Sequence, residues 1–316
     1  MAAEDSTATD RGQRVGCRQH LVRPAGGIRD QHSPRCVGFA VFDLANQFPA
    51  VGRIDDDGFP HCTGTLVSPT QVLTAAHCVD EILGSENNVP DLPLNTTTFL
   101  LGNDVSSPNH TRGVTVIHQQ TWNGEASRDM AILTLDGAII DVTPMNLSNQ
   151  DPIGLTGTFV GFGEQGTGLL FPGPDDDLKR AAQNLIDTVN QFDGTLESNF
   201  DHPNGSTSSY GTSAPLDLER TTGAGDSGGP LFANLGGGNV LVGILNGGTN
   251  PFGDDSEYGD QSGWAPVMLA TNQTFLTSQG LSFGSPLLDG DYNASDQVDL
   301  GALNLVLFNW AMPNRY

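Results

Sequence analysis

From about Val37 to Leu281 the chain is a succession of short apolar runs, each closed by glycine, proline, asparagine or aspartate. The clearest are Gly64-Thr-Leu-Val, Thr98-Phe-Leu-Leu, Gly113-Val-Thr-Val-Ile, Met130-Ala-Ile-Leu-Thr-Leu, Gly157-Thr-Phe-Val-Gly and Asn239-Val-Leu-Val-Gly-Ile-Leu. β-Branched side chains fit a pleated, half-buried surface, so runs of this length between turn residues predict many short strands in a barrel or sandwich. The pattern excludes coiled coils and helical solenoids and argues against βαβ units. Glycine supplies 40 of 316 residues, well above the usual share of about 7%, as a frequently turning chain requires. The polar stretch from Pro172 to Pro215, which contains Asp175-Asp176-Asp177, predicts long surface loops. One helix is expected near Ala270–Ser278.

Charge narrows the function classes. Thirteen basic residues against 37 acidic ones give −24 and a pI near 4.2. Nucleic-acid binding on a basic footprint is excluded, because phosphate neutralisation needs Lys and Arg. No stretch approaches about 18 consecutive apolar residues, so no membrane span is read. The imbalance is uneven along the chain. Residues 1–35 carry Arg11, Arg14, Arg18, Arg23, Arg29 and Arg35 against four acids, net +2, and the remainder holds 7 basic and 33 acidic residues, net −26. This first segment lacks apolar periodicity and reads as a flexible leader, either a pro-segment or a plain linker. It has no apolar run of 7–15 residues, so no signal peptide is visible in it. The four cysteines, Cys17, Cys36, Cys62 and Cys78, are an even count that fits an oxidising compartment but are too few for a disulfide scaffold.

Three local patterns carry chemistry. Leu73-Thr-Ala-Ala-His77-Cys78 places a histidine between a strand-like run and a cysteine; alone, it reads as readily as a packed core histidine. Ser127-Arg-Asp129-Met-Ala-Ile-Leu takes an acid into a buried strand, where a carboxylate needs hydrogen-bonded partners. Gly223-Ala-Gly225-Asp226-Ser227-Gly228-Gly229-Pro230 could be an ordinary turn. It is also what a serine needs if its hydroxyl is to project into a cleft beside backbone N–H groups that face an oxyanion. The order His, Asp, Ser, with separations of 52 and 98 residues, links the three.

On these motifs the chain resembles the trypsin-like (chymotrypsin-fold) serine proteases. Phe48-Pro49, His61-Cys62-Thr-Gly-Thr-Leu-Val and Gly161-Phe162-Gly163 add to the likeness, which spans residues 37–281. The resemblance implies an all-β fold of two six-stranded antiparallel barrels with the active site in the cleft between them. It implies Ser227 as nucleophile, His77 as base and then acid, and Asp129 as the residue that orients the imidazole. The N–H groups of Gly225 and Ser227 would form the oxyanion hole, and Cys62 and Cys78 would pair beside the histidine. No cofactor would be required, and the substrate would be a polypeptide.

Departures from the family pattern matter as much. The pocket position six residues before the serine, acidic in trypsins, is Thr221, which removes the main cause of a Lys or Arg preference. Leu245-Asn246-Gly247-Gly248 stands where the family has Ser-Trp-Gly. Asn246 can donate towards Asp129, while Gly248, and Gly263 by looser alignment, leave the pocket entrance open. A neutral specificity pocket is the expectation. Asp226 is placed to receive a new N-terminal amine, with Val37 as candidate terminus after loss of residues 1–36; cleavage after Arg35 is the other option. Cys17 and Cys36 could bridge leader to protease or remain unpaired.

Residues 285–316 resemble a single dockerin-like repeat. Asp291, Asn293, Ser295 and Asp299 are weak calcium candidates, because position 12 of such a loop is Ala302 instead of an acid. A terminal amphipathic helix is the plainer reading, and a protein partner for this tail is the further one. Together these features predict a secreted or extracytoplasmic serine endopeptidase, with a bacterial setting suggested by the tail. A catalytically silent binding module and an anchoring protein acting through the tail remain as alternatives. An α/β-hydrolase is excluded, because it needs the order Ser, Asp, His.

Overall fold

A computed structural model of the chain describes residues 42, 44–80, 89–167, 170–173, 176–205, 208–210, 215–251 and 258–284. Val37, Cys17, Cys36, the leader 1–36 and the tail 285–316 with its calcium candidates lie outside the described residues.

Six strands, β1 (Val51–Asp56), β2 (Phe59–Ser68), β3 (Gln71–Thr74), β4 (Thr97–Leu101), β5 (His110–Gln119) and β6 (Ala131–Leu135), form a closed barrel ordered β1-β2-β3-β6-β5-β4. Asp57 and Gly58, both at positive φ, make the tight turn between β1 and β2, as two-residue hairpins that match strand twist require. The second sheet contains β7 (Thr156–Gly161), β10 (Arg180–Leu185), β11 (Thr188–Val189), β12 (Leu196–Asn199), β13 (Pro230–Asn234), β14 (Asn239–Thr249) and β15 (Gln261–Pro266). A separate hairpin of β8 (Gln165–Thr167) and β9 (Leu170–Gly173) lies between β7 and β10 in the chain.

The all-β, two-barrel expectation holds, with one difference. The second sheet is an open half-barrel of seven strands, ordered β10-β7-β13-β14-β15-β12-β11, not a closed six-stranded barrel. Between β10 and β12 side chains replace the ladder. Asn184 Nδ2 donates to the Asn199 carbonyl at 2.7 Å, and the Asn199 N–H donates to Asp187 Oδ2 at 3.1 Å.

The stretch 172–215 is a correction, because it contains β10, β11 and β12 instead of being all loop. Its strands bury polar side chains, including Asn184, Ser198 and Asn199, and Lys179 is buried just ahead of β10, so a search for apolar runs cannot find them. The helix expected near Ala270–Ser278 is present as α1 (Ala270–Ser278) and drives Leu276 into the core.

One core fills the first barrel and reaches the second sheet, where Phe48 stacks on Phe232 with ring centroids 4.6 Å apart. A smaller core gathers Phe159, Leu196, Leu231, Leu245 and Trp264. Polar groups also tie the two sheets together. Arg53 of β1 grips Asp55 through two bonds (2.6 and 2.9 Å) and reaches Asp177 at 2.5 Å. Lys179, the only lysine of the sequence, is 1% exposed and donates to the carbonyls of Phe48 (2.9 Å) and Val51 (3.3 Å). The Cys62–Cys78 disulfide links β2 to the turn after β3.

Two stability predictions follow from these ties. Replacing Cys62 and Cys78 together by alanine is expected to remove about 3 kcal/mol of unfolding free energy, the entropic value for a loop of this length. Burial lowers the Lys179 ammonium from its ordinary 10.5 to about 8. Between those values the unfolded chain holds more proton than the folded one, so stability should rise as pH climbs from about 8 towards 10. Denaturant titrations of the wild type and Lys179→Met at the two pH values check this. An equal rise in the variant would show that Lys179 is not its source.

Candidate active site

The site begins at the end of β3. After Thr74 come Ala75 and Ala76, fully buried, and then His77 in a turn closed by Val79 N–H to Ala76 O at 2.9 Å. A 3₁₀ turn, Ala126–Arg128, delivers Asp129 just ahead of β6. The Asp129 side chain is 0% exposed and that of His77 24% exposed. Asp129 Oδ2 pairs with His77 Nδ1 at 2.6 Å and accepts Asn246 Nδ2 at 2.5 Å, while Oδ1 accepts the His77 backbone N–H at 2.8 Å. A buried carboxylate is tolerated only with such partners. With Nδ1–H facing the carboxylate, Nε2 is the ring nitrogen left to accept a proton.

Ser227 arrives from the second sheet in a loop pressed onto β2 and β3. Its carbonyl accepts Thr63 N–H at 2.8 Å, and Thr63 Oγ1 donates to the Gly225 carbonyl at 3.0 Å. The fit at Gly228 excludes any side chain, since a Cβ there would lie 2.0 Å from Thr74 Oγ1 and 2.6 Å from the Thr63 carbonyl. Neither the Gly225 N–H nor the Ser227 N–H donates to a partner among the described residues. Two adjacent unspent N–H donors can receive a developing oxyanion. The Ser227 hydroxyl also makes no hydrogen bond among the described residues. Ser227 is therefore held beside the His77 turn by its loop's bonds to β2, without a direct Oγ–Nε2 bond. Such bonds are often long before substrate binds.

Asp226, next to the serine, accepts Gly163 N–H at 2.8 Å and Gly223 N–H at 3.0 Å. Burial pushes its carboxyl up to about 6, against the pull of those two N–H groups and of Arg180.

The pocket residues meet around a serine that the sequence reading missed. Gly247 pairs with Gly263 and Gly248 with Ser262 across β14 and β15. Ser262 Oγ accepts Thr222 N–H (3.2 Å) and lies within hydrogen-bond distance of Thr221 Oγ1 (3.2 Å) and Thr222 Oγ1 (2.9 Å). Thr221 and Gly248 thus meet Ser262, Gly263 lies on the opposite face of the ladder with Gly247, and Asn246 joins Asp129. Nothing in the sequence around Ser262 marks it, because its role depends on a strand register. Asn272 of α1 was missed for the same reason. It donates to the Ser127 carbonyl at 2.8 Å and so holds the turn that presents Asp129.

Two further acids are shifted, the buried Glu219 and the half-buried Asp187. Glu219 accepts Asp201 N–H (2.5 Å) and Leu216 N–H (2.6 Å), and burial pushes it up to about 7. Asp187 is pushed up to about 6, again mainly by burial. Among the described residues the one trio spaced for a metal is Cys62, His77 and Cys78. Its two sulfurs form the disulfide and so cannot act as thiolate ligands.

Comparison with known proteins shows the family of the chain. A family model described as Trypsin matches residues 43–259. Brachyurin of Leptuca pugilator is 29% identical over 204 residues, covering 60% of this chain and 79% of that protein. Trypsin of Saccharopolyspora erythraea is 27% identical over 202 residues, covering 62% and 79%. Among solved structures, human heparin binding protein superposes with a TM-score of 0.53 at 17% identity, over 76% of this chain and 96% of that one. At that identity the likeness shows the fold alone, the chymotrypsin fold.

The raised carboxyls give a pH prediction. Glu219, Asp187 and Asp226 keep their protons in the folded chain above the ordinary 4.5, 3.8 and 3.8. Their contribution is complete below about pH 4 and is lost as pH rises through 6 to 7, because the folded state then binds more proton than the unfolded one. Melting temperature should therefore fall between pH 4.5 and 7.5. Glu219→Gln should shrink that fall, and an unchanged fall would reject Glu219 as a source.

Proposed function

Since the chain belongs to the trypsin family of serine proteases, we propose that it is an endopeptidase that cleaves polypeptides through an acyl-enzyme on Ser227. The reading rests most on the Asp129 carboxylate, fully buried and bonded by both His77 Nδ1 and the His77 backbone. That arrangement orients the imidazole so that Nε2 can take the Ser227 proton as Oγ attacks the scissile carbonyl. The carbonyl oxygen becomes an oxyanion and accepts the Gly225 and Ser227 N–H groups. His77 then returns the proton to the departing amine, whose loss leaves the ester. A water, deprotonated by the same nitrogen, hydrolyses the ester and regenerates Ser227. Asp129 stays ionised throughout and stabilises the imidazolium.

Three finer features belong to the same reading. The specificity pocket is neutral, since Thr221 stands where an acid would select Lys or Arg. Removal of residues 1–36 frees the Val37 amine, which pairs with Asp226; a desolvated carboxyl that among the described residues accepts two N–H groups gains from such a cation. The enzyme works outside the cytoplasm, where a disulfide such as Cys62–Cys78 persists. Among the described residues no helix is long and apolar enough to cross a membrane.

The test is labelling with a fluorophosphonate, read by intact mass and peptide mapping, on the full chain and on a form beginning at Val37. One label on Ser227, lost in Ser227→Ala, is expected. Asp129→Asn should slow labelling by a factor on the order of 10⁴ through the wrong histidine tautomer. Labelling of the Val37 form alone supports activation by leader removal, and equal labelling of both rejects it. A folded protein that labels in neither form rejects the hydrolase and leaves a binding module as the better account.

A further inference from the structure

Resting on the reading that Ser227 is acylated, we propose that cleavage follows a residue bearing a carboxamide, glutamine or asparagine. The groups that read it are the hydroxyls of Thr221, Thr222 and Ser262.

The three hydroxyls hold more hydrogens than their mutual bonds can use. Ser262 Oγ has two lone pairs and one hydrogen, and it meets the Thr222 N–H, Thr221 Oγ1 and Thr222 Oγ1 at 3.2, 3.2 and 2.9 Å. The N–H occupies one lone pair. One threonine can donate into the other, and the serine hydrogen must then go to the second threonine. That second threonine keeps its own hydrogen, and the two threonine oxygens keep unfilled lone pairs. None of the three side chains has another partner among the described residues. The cluster therefore offers a donor and acceptors side by side, with no net charge. A carboxamide, which carries one acceptor and two donors, matches it. Ser262 is 2% exposed and cannot turn to water for relief.

Thr221 and Thr222 are each only half-buried, so the cluster can be reached from outside. Of the charged side chains closest in sequence, Glu219 accepts two N–H groups, and Arg220 donates to the Glu219 carbonyl at 2.6 Å. An ammonium or guanidinium would find no free carboxylate among these groups. Arg220 makes no ion pair among the described residues, so a carboxylate end is the rival that the Gln against Glu pair separates from a carboxamide. An aliphatic end would leave the spare hydroxyl hydrogen unpaired, and sites built to hydrogen-bond a polar end discriminate strongly against analogues that lack one.

The experiment is a cleavage profile on a peptide library in which the residue before the scissile bond is varied, using the form that labels with fluorophosphonate. Matched pairs differing only in Gln against Glu, Asn against Asp and Gln against Leu follow. Preference for Gln or Asn by tenfold or more over Glu, Leu, Lys and Arg is expected. Ser262→Ala and Thr221→Val should lower kcat/KM for the carboxamide substrates at least tenfold while changing it for leucine less than threefold. A merely structural defect would lower both together. Glu or Asp preference, Lys or Arg preference, apolar preference, or equal losses on both substrate classes would overturn the proposal while leaving the protease intact. Absence of labelling and of all cleavage would instead reject the protease reading on which it rests.

Discussion

A carboxylate sealed from water holds this site together. Asp129 would be untenable in the core without donors, and the donors come from opposite sides of the molecule. His77 and its backbone N–H belong to the turn after β3, and Asn246 belongs to β14 of the second sheet. Satisfying this buried charge therefore requires the two sheets to meet in register. Behind it, Asn272 accepts from Gln120 at 2.9 Å and donates to the Ser127 and Pro266 carbonyls. The helix α1 thus serves as a brace for the turn that carries the acid. Charged hydrogen bonds in a low-dielectric interior are strong because no water competes for them.

The serine loop obeys the complementary constraint. It must come close enough to the first barrel to meet His77, yet leave its own N–H groups unspent. Glycine at 228 meets the first demand, because its backbone fills the space a side chain would need. Anchoring the loop through its carbonyls meets the second. The Gly225 and Ser227 oxygens are the bonded groups, so the nitrogens stay available. Gly161 meets a like demand one layer deeper, where a Cβ would lie 2.0 Å from Asp226 Oδ1.

What was legible in the sequence and what was not divides along a physical line. The triad motifs, the apolar strands and α1 could be read because each depends on residues close together in the chain. The strands from Arg180 to Asn199 could not, because they, and Lys179 just ahead of them, bury polar groups whose partners lie far away in sequence. Asn184 needs the Asn199 carbonyl, and Lys179 needs carbonyls more than 100 residues back. Ser262 was hidden for a third reason. Nothing distinguishes it until β15 pairs with β14 and brings Thr221 and Thr222 against it. Polar residues at apolar positions carry no periodic signal, and their meaning appears only with the register.

The charge imbalance has a structural side as well. Beyond the leader the cations are few, and four of the six described are engaged internally by acids or buried carbonyls. Arg53 holds Asp55 and Asp177, Arg180 holds Asp176, Arg128 holds Glu125, and Lys179 serves two carbonyls. The acids outnumber them heavily, so the outward field is almost wholly negative. Such a field draws in basic chains and repels acidic ones at long range, and salt weakens it. Selection at the bond itself works differently, since hydroxyls carry no charge for salt to screen. Encounter and recognition are thus separated. The surface would bias which chains arrive, and the uncharged cluster at Ser262 would decide where they are cut.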